Sequence, residues 1–153
     1  MTCRLIACLL LAGIGALGQT LRMTPVSGAP GESIAVRILL DAPPEQSPAT
    51  LQWEVVFPAQ ILEVSTPVAD AGAAAQSSGK FLTCVERNSY TQVCILTGGK
   101  KPIANGAIAT VHWKIRASAK AGTTSIKVTK AQGVTTDLRQ LDVKDANTVV
   151  TIQ

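Results

Sequence analysis

Ala107-Ile108-Ala109-Thr110-Val111-His112-Trp113-Lys114-Ile115-Arg116-Ala117 alternates without a break. Ala109, Val111, Trp113 and Ile115 share one phase; Thr110, His112, Lys114 and Arg116 share the other. Successive side chains of a β-strand point to opposite faces, so this stretch predicts a strand with one face in a core and one in water. The same pattern recurs on both sides of it. Glu32–Asp41 sets Ile34, Val36, Ile38 and Leu40 against Ser33, Ala35, Arg37 and Leu39, and Ala49–Phe57 sets Leu51, Trp53, Val55 and Phe57 against Gln52, Glu54 and Val56. Thr124–Gly133 places Ile126 and Val128 opposite Lys127 and Thr129, and the chain closes on Thr148–Ile152. Between these runs lie turn formers: Ser27–Gly31, Asp41–Pro48, Gly98–Gly106, Ala121-Gly122 and Lys144–Asn147. Short strands with one apolar face, punctuated by Gly, Pro and Asn, predict an all-β fold: an antiparallel two-sheet β-sandwich of about eight to ten strands with jelly-roll-like connections. Val68–Gly79, rich in Ala, Gly and Ser, reads as a surface loop, since Gly72 weakens any helical turn over Asp70–Gln76.

The N-terminus reads differently. Arg4 is followed by the apolar run Leu5–Leu17, and Ala16-Leu17-Gly18 puts small residues just before Gln19. That is the pattern of an export signal over residues 1–18, too short for a membrane span. Leu5-Ile6-Ala7-Cys8 has the residue types of a lipoprotein box, but the apolar stretch before Cys8 is shorter than the roughly 7–15 residues a signal needs, so Cys3 and Cys8 are expected in the discarded segment. A single domain over residues 19–153, secreted or periplasmic and folding in an oxidising compartment, is the expectation. No second apolar run is long enough to span a bilayer.

The charges exclude some functions. The 14 Lys and Arg against 10 Asp and Glu give a net charge of +4. These cations are scattered, with Lys100-Lys101 the only adjacent pair, so nucleic acid finds no basic stripe to bind. Cys84 and Cys94 remain after removal of the leader, an even count that favours a disulfide in an oxidising compartment. With a hairpin centred on Ser89, residue 84 lies directly opposite residue 94, at β-carbon spacing near what a disulfide needs. A zinc site is unexpected because His112 is the sole histidine. Asp137, Asp142 and Asp145 crowd the C-terminal turns, where such acids ordinarily serve the turns; calcium is conceivable, but their spacing fits no known loop. No cofactor is implied.

Nor does a catalytic constellation emerge. Hydrolysis needs a nucleophile with its base or two convergent carboxylates, and His112 sits on a strand's polar phase. Of the aromatic residues, Trp53, Phe57, Phe81 and Trp113 fall on apolar phases and read as core, leaving Tyr90 at the hairpin tip as the one residue placed to stack on a sugar.

The order of these signals resembles a cohesin domain. Pro25-Val26-Ser27-Gly28-Ala29-Pro30-Gly31-Glu32-Ser33-Ile34-Ala35-Val36 is similar to that family's first turn and second strand. Leu51–Pro58 with Ile61–Val64, Ile103–Ala117 with Ala121–Thr124, and Val143–Ile152 resemble its later strands. Two features depart from the family pattern: Phe57-Pro58 stands where Asp-Pro is usual, and the Cys84–Cys94 pair is not a hallmark. The resemblance implies a non-catalytic binding module whose partner, a dockerin-like protein or a polysaccharide in a polysaccharide-degrading system, docks on one sheet face built from the family's third, fifth, sixth and eighth strands. Mapped here, that face carries Gln52, Glu54, Val56, Lys127 and Thr129, joined by Glu86 and Gln92 if Phe81, Val85, Val93 and Ile95 face the core. A module for soluble glycans and a cell-envelope structural or adhesion domain are the alternatives.

Overall fold

The computed structural model describes residues 18–153. Residues 1–17 lie outside the described residues, and with them Cys3, Cys8 and nearly all of the expected export signal. The described chain runs β1 (Thr20–Met23), β2 (Val26–Gly28), β3 (Ser33–Asp41), a 3-10 turn (Pro44–Gln46), β4 (Thr50–Val56), β5 (Leu62–Ala71) and α1 (Ala73–Ser77). It continues through β6 (Phe81–Asn88), β7 (Thr91–Thr97), β8 (Gly106–Ile115), β9 (Gly122–Val134), β10 (Gln140–Asp142) and β11 (Ala146–Ile152).

Two sheets form, one in the order β1-β3-β8-β5, the other β2-β11-β9-β4-β7-β6 with β10 added to β9. The alternation decides their packing. Ile34, Val36, Ile38 and Leu40 of β3, with Val111, Trp113 and Ile115 of β8, turn inward from the smaller sheet. Leu51, Trp53 and Val55 of β4, with Ile126, Val128, Val150 and Ile152, meet them from the larger one. Each such side chain contributes about 1.5–3 kcal/mol through burial. Trp53 and Trp113 are 0 % exposed, and Phe57 packs on Trp113 with ring centroids 5.8 Å apart.

The described residues hold eleven strands, above the expected number because β2 and β10 are short additions at sheet margins. One pairing between strands departs from the antiparallel expectation: β2 runs parallel to β11, with Val26 beside Val150 and Gly28 beside Ile152. β2 links β1 of one sheet to β3 of the same sheet, and on the way it borrows the open edge of β11 in whatever direction the chain is travelling.

Val68–Gly79 is not the surface loop expected. β5 continues to Ala71, with Ala69 opposite Val111 and Ala71 opposite Ala109 across β8. α1 then buries Ala74 and Ala75. Small side chains allow this closeness. A β-carbon on Gly72 would collide with the backbone carbonyl of Ala107, and the Gly72 amide donates to Ile108 O at 3.0 Å. Among the described residues, no helix is long and apolar enough to cross a membrane.

Candidate docking face

β6 and β7 form the hairpin at one margin of the larger sheet. Their register places Cys84 opposite Cys94, Val85 opposite Val93 and Glu86 opposite Gln92, as the turn centred near Ser89 predicts. Cys84 and Cys94 are joined as a disulfide.

The phase of the hairpin, however, is the reverse of the one supposed. Gln92, Cys94 and Leu96 are buried and point to the other sheet, whereas Phe81 is 74 % and Val85 56 % exposed. Val93 and Ile95, half-buried, share the outer side with Phe81 and Val85. Two of the candidate binding residues therefore leave the face. Gln92 is fully buried beside Val55, and neither of its amide atoms meets a hydrogen-bonding partner in the protein. Glu86 is opposite Gln92 on the inward phase, exposed near the hairpin's end. Phe81, expected in the core, is instead an outward aromatic.

The remaining candidates converge. Gln52 pairs with Ile95, and Glu54 with Val93; on the other side of β4, Glu54 pairs with Thr129 and Val56 with Lys127. Gln52 and Lys127 are exposed, while Glu54, Val56 and Thr129 are half-buried. A bulge in β9 between Thr129 and Gln132 puts Lys130 into the left-handed region at φ 52°. It swings the Lys130 ammonium to 3.3 Å from the Glu54 carboxylate. Arg87 closes on Glu54 from the hairpin side, so the carboxylate, its side chain only 12 % exposed, lies between two cations. Tyr90 stands at the hairpin tip, 53 % exposed. It borders a recess lined by Val56, Arg87 and Thr129.

The outer face of β9-β4-β7-β6 thus has a charged end around Glu54 and an apolar margin along β6. Sequence reading missed Arg87, Lys130 and the outward Phe81 and Val85. The bulge that recruits Lys130 carries no turn residue to announce it. What this face offers chemically is contact area: exposed aromatic and aliphatic carbon next to fixed charge, the composition of a protein interface.

Elsewhere the ionisable groups serve structure. His112 Nε2 lies 2.8 Å from Asp70 Oδ2 on the outside of the smaller sheet. Asp137 spends its oxygens on Thr135 and Arg139, which hold its carboxyl below the usual carboxylate range. Among the described residues, no three His, Cys, Asp or Glu side chains converge as a metal site would require.

Solved structures share this architecture. The sixth cohesin of Acetivibrio cellulolyticus scaffoldin B, solved in complex with a Cel5 dockerin, matches at TM-score 0.74 and 19% identity, covering 89% of this chain and 99% of that one. The OlpA cohesin of a Clostridium thermocellum type I cohesin–dockerin complex matches at TM-score 0.77 and 15% identity over 89% and 99%. A non-cellulosomal cohesin of the archaeon Archaeoglobus fulgidus matches at TM-score 0.71 and 13% identity over 89% and 91%. At such identities the likeness is one of fold. Among curated proteins, none matches. The cohesin-domain family model itself matches residues 20–153, and the chain therefore belongs to the cohesin family, whose members are non-catalytic protein-interaction modules.

Proposed function

We propose that this domain docks a dockerin-like protein on the outer face of the larger sheet, and that it does so outside the cytoplasm after removal of residues 1–18. One observation carries the docking reading: Phe81 and Val85, 74 % and 56 % exposed, line the margin strand of the same outer sheet face that carries the ion-paired Glu54, a face that otherwise has no reason to be apolar. The cohesins solved with dockerins supply the partner class. Export is supported by the leader pattern of residues 1–18.

Titration calorimetry against the dockerins of the Acetivibrio cellulolyticus and Clostridium thermocellum complexes tests the partner. Binding by at least one is expected. Phe81→Asp should then weaken it about tenfold or more, as loss of an interface anchor does, with little change in thermal midpoint because the Phe81 ring, lying over Gly98, leaves most of its surface in solvent. Binding of soluble glucans that depends on Tyr90, without dockerin binding, would replace this reading with a glycan module. An exported product whose mass does not begin at Gln19 would remove the cleavage site.

A further inference from the structure

A turn beside this face displays a leucine at a conformational cost. Leu138 is 85 % exposed and sits at φ 65°, left-handed backbone that costs a residue bearing a β-carbon about 1–2 kcal/mol. No burial offsets that cost. The turn is held instead by its own bonds. Thr135 Oγ1 donates to Asp137 Oδ1 at 2.5 Å, and Arg139 Nε to Asp137 Oδ2 at 2.8 Å. The amide of Arg139 donates to Thr135 Oγ1 at 3.0 Å, while the Thr135 amide donates to Arg139 O at 2.9 Å. An exposed apolar side chain fixed in a strained backbone by so many partners is presented, not tolerated.

Its position gives it a use. Val134, at the root of the turn, pairs with Thr50, and Phe81 pairs with Thr97. Phe81 and the Val134–Leu138 pair therefore bracket one end of the outer face. Three strand spacings, about 14 Å, separate them, and Gln52, Ile95 and Gln132 line the shallow groove on the Leu138 side. At the other end stand Arg87, Lys127 and Lys130. Glu54 offsets one of these three charges, leaving that end positive.

We propose that Leu138 is a built docking anchor, and that the partner is a protein presenting an apolar ridge to Phe81 and Leu138 and carboxylates to Arg87, Lys127 and Lys130. The proposal rests on the docking reading above and adds the polarity of the bound partner.

Leu138→Asn is the first test, because Asn tolerates the left-handed region with its β-carbon kept. Its thermal midpoint should equal or exceed that of the parent; a fall of several degrees would show that Leu138 serves folding and would overturn the proposal. The same dockerins supply the second test. Leu138→Asn and Lys127→Glu should each lower affinity about tenfold, and Lys127→Glu should also flatten the salt dependence. Lys114→Glu on the other sheet should change neither. A dockerin that binds, is lost with Phe81→Asp, yet ignores both Leu138→Asn and Lys127→Glu overturns this proposal and leaves docking intact. No binding by any dockerin tested overturns both.

Discussion

At the scale of single residues, burial and charge conflict most openly at Lys80. The residue is 4 % exposed, and its ammonium donates to Gly98 O at 2.5 Å and Gly99 O at 3.3 Å. It thereby ties the start of β6 to the Gly98-Gly99 turn. Both partners are carbonyls, which satisfy its donors without neutralising its charge, and desolvation lowers its pKa from the ordinary lysine value. The sign follows from linkage. Between the lowered folded value and the unfolded value near 10.4, the unfolded chain holds the proton more firmly, so stability rises with pH across that window. Urea midpoints of the parent and of Lys80→Met, compared from about pH 8 to 10.5, should diverge: the alkaline rise belongs to the parent and is absent from the variant. Equal slopes would mean that the ammonium is as well solvated folded as unfolded. Lys80 looked like any scattered surface cation in the sequence, and Gln92 like a surface amide. Both are buried because a neighbouring element covers them, which no local pattern records.

At the scale of elements, the strands with one polar phase were legible throughout, whereas the hairpin was legible in its register and not in its phase. Thr110, His112, Lys114 and Arg116 make the outward side of β8 unmistakable. In β6 and β7 both phases are apolar: Leu82, Cys84, Cys94 and Leu96 on one, Phe81, Val85, Val93 and Ile95 on the other. An outer face this apolar imitates a core, so alternation loses its power along the hairpin. The same fact makes β6 a weakly held strand. Its inward Leu82 and Cys84 are half-buried, Glu86 is exposed, and its outward side chains are exposed too, so the ladder to β7 and the Cys84–Cys94 bond carry most of its attachment. Cross-linking so short a loop is worth about 2–3 kcal/mol in the chain-entropy account. Changing both cysteines to alanine should therefore raise amide exchange in β6 first, with β3 and β8 still protected. Uniform loss of protection across both sheets would show instead that β6 is integral to the core.

At the scale of the whole molecule, the chain crosses between sheets repeatedly: β3 and β8 belong to one, β4 and β9 to the other, and every loop between them spans the sandwich edge. Neither sheet can bury its inner face alone. Val36, Val111 and Trp113 need Trp53, Val55 and Val128 opposite them, and all belong to one continuous cluster. Shared burial of this kind makes unfolding all-or-none, because losing one sheet exposes the apolar face of the other. The two tryptophans report on this separately, Trp113 from the smaller sheet and Trp53 from the larger. Both are wholly buried, so native emission should be blue and shift red on unfolding. Trp113→Phe leaves Trp53 as the sole reporter, and Trp53→Phe does the converse. Each variant loses stability by its own packing defect, but within either one the fluorescence midpoint should coincide with the far-ultraviolet circular dichroism midpoint. A Trp113 transition that precedes loss of β-signal would mean that the smaller sheet opens first. In that case the larger sheet would survive as a separate unit, and the mutual burial of the two inner faces would not be what holds it together.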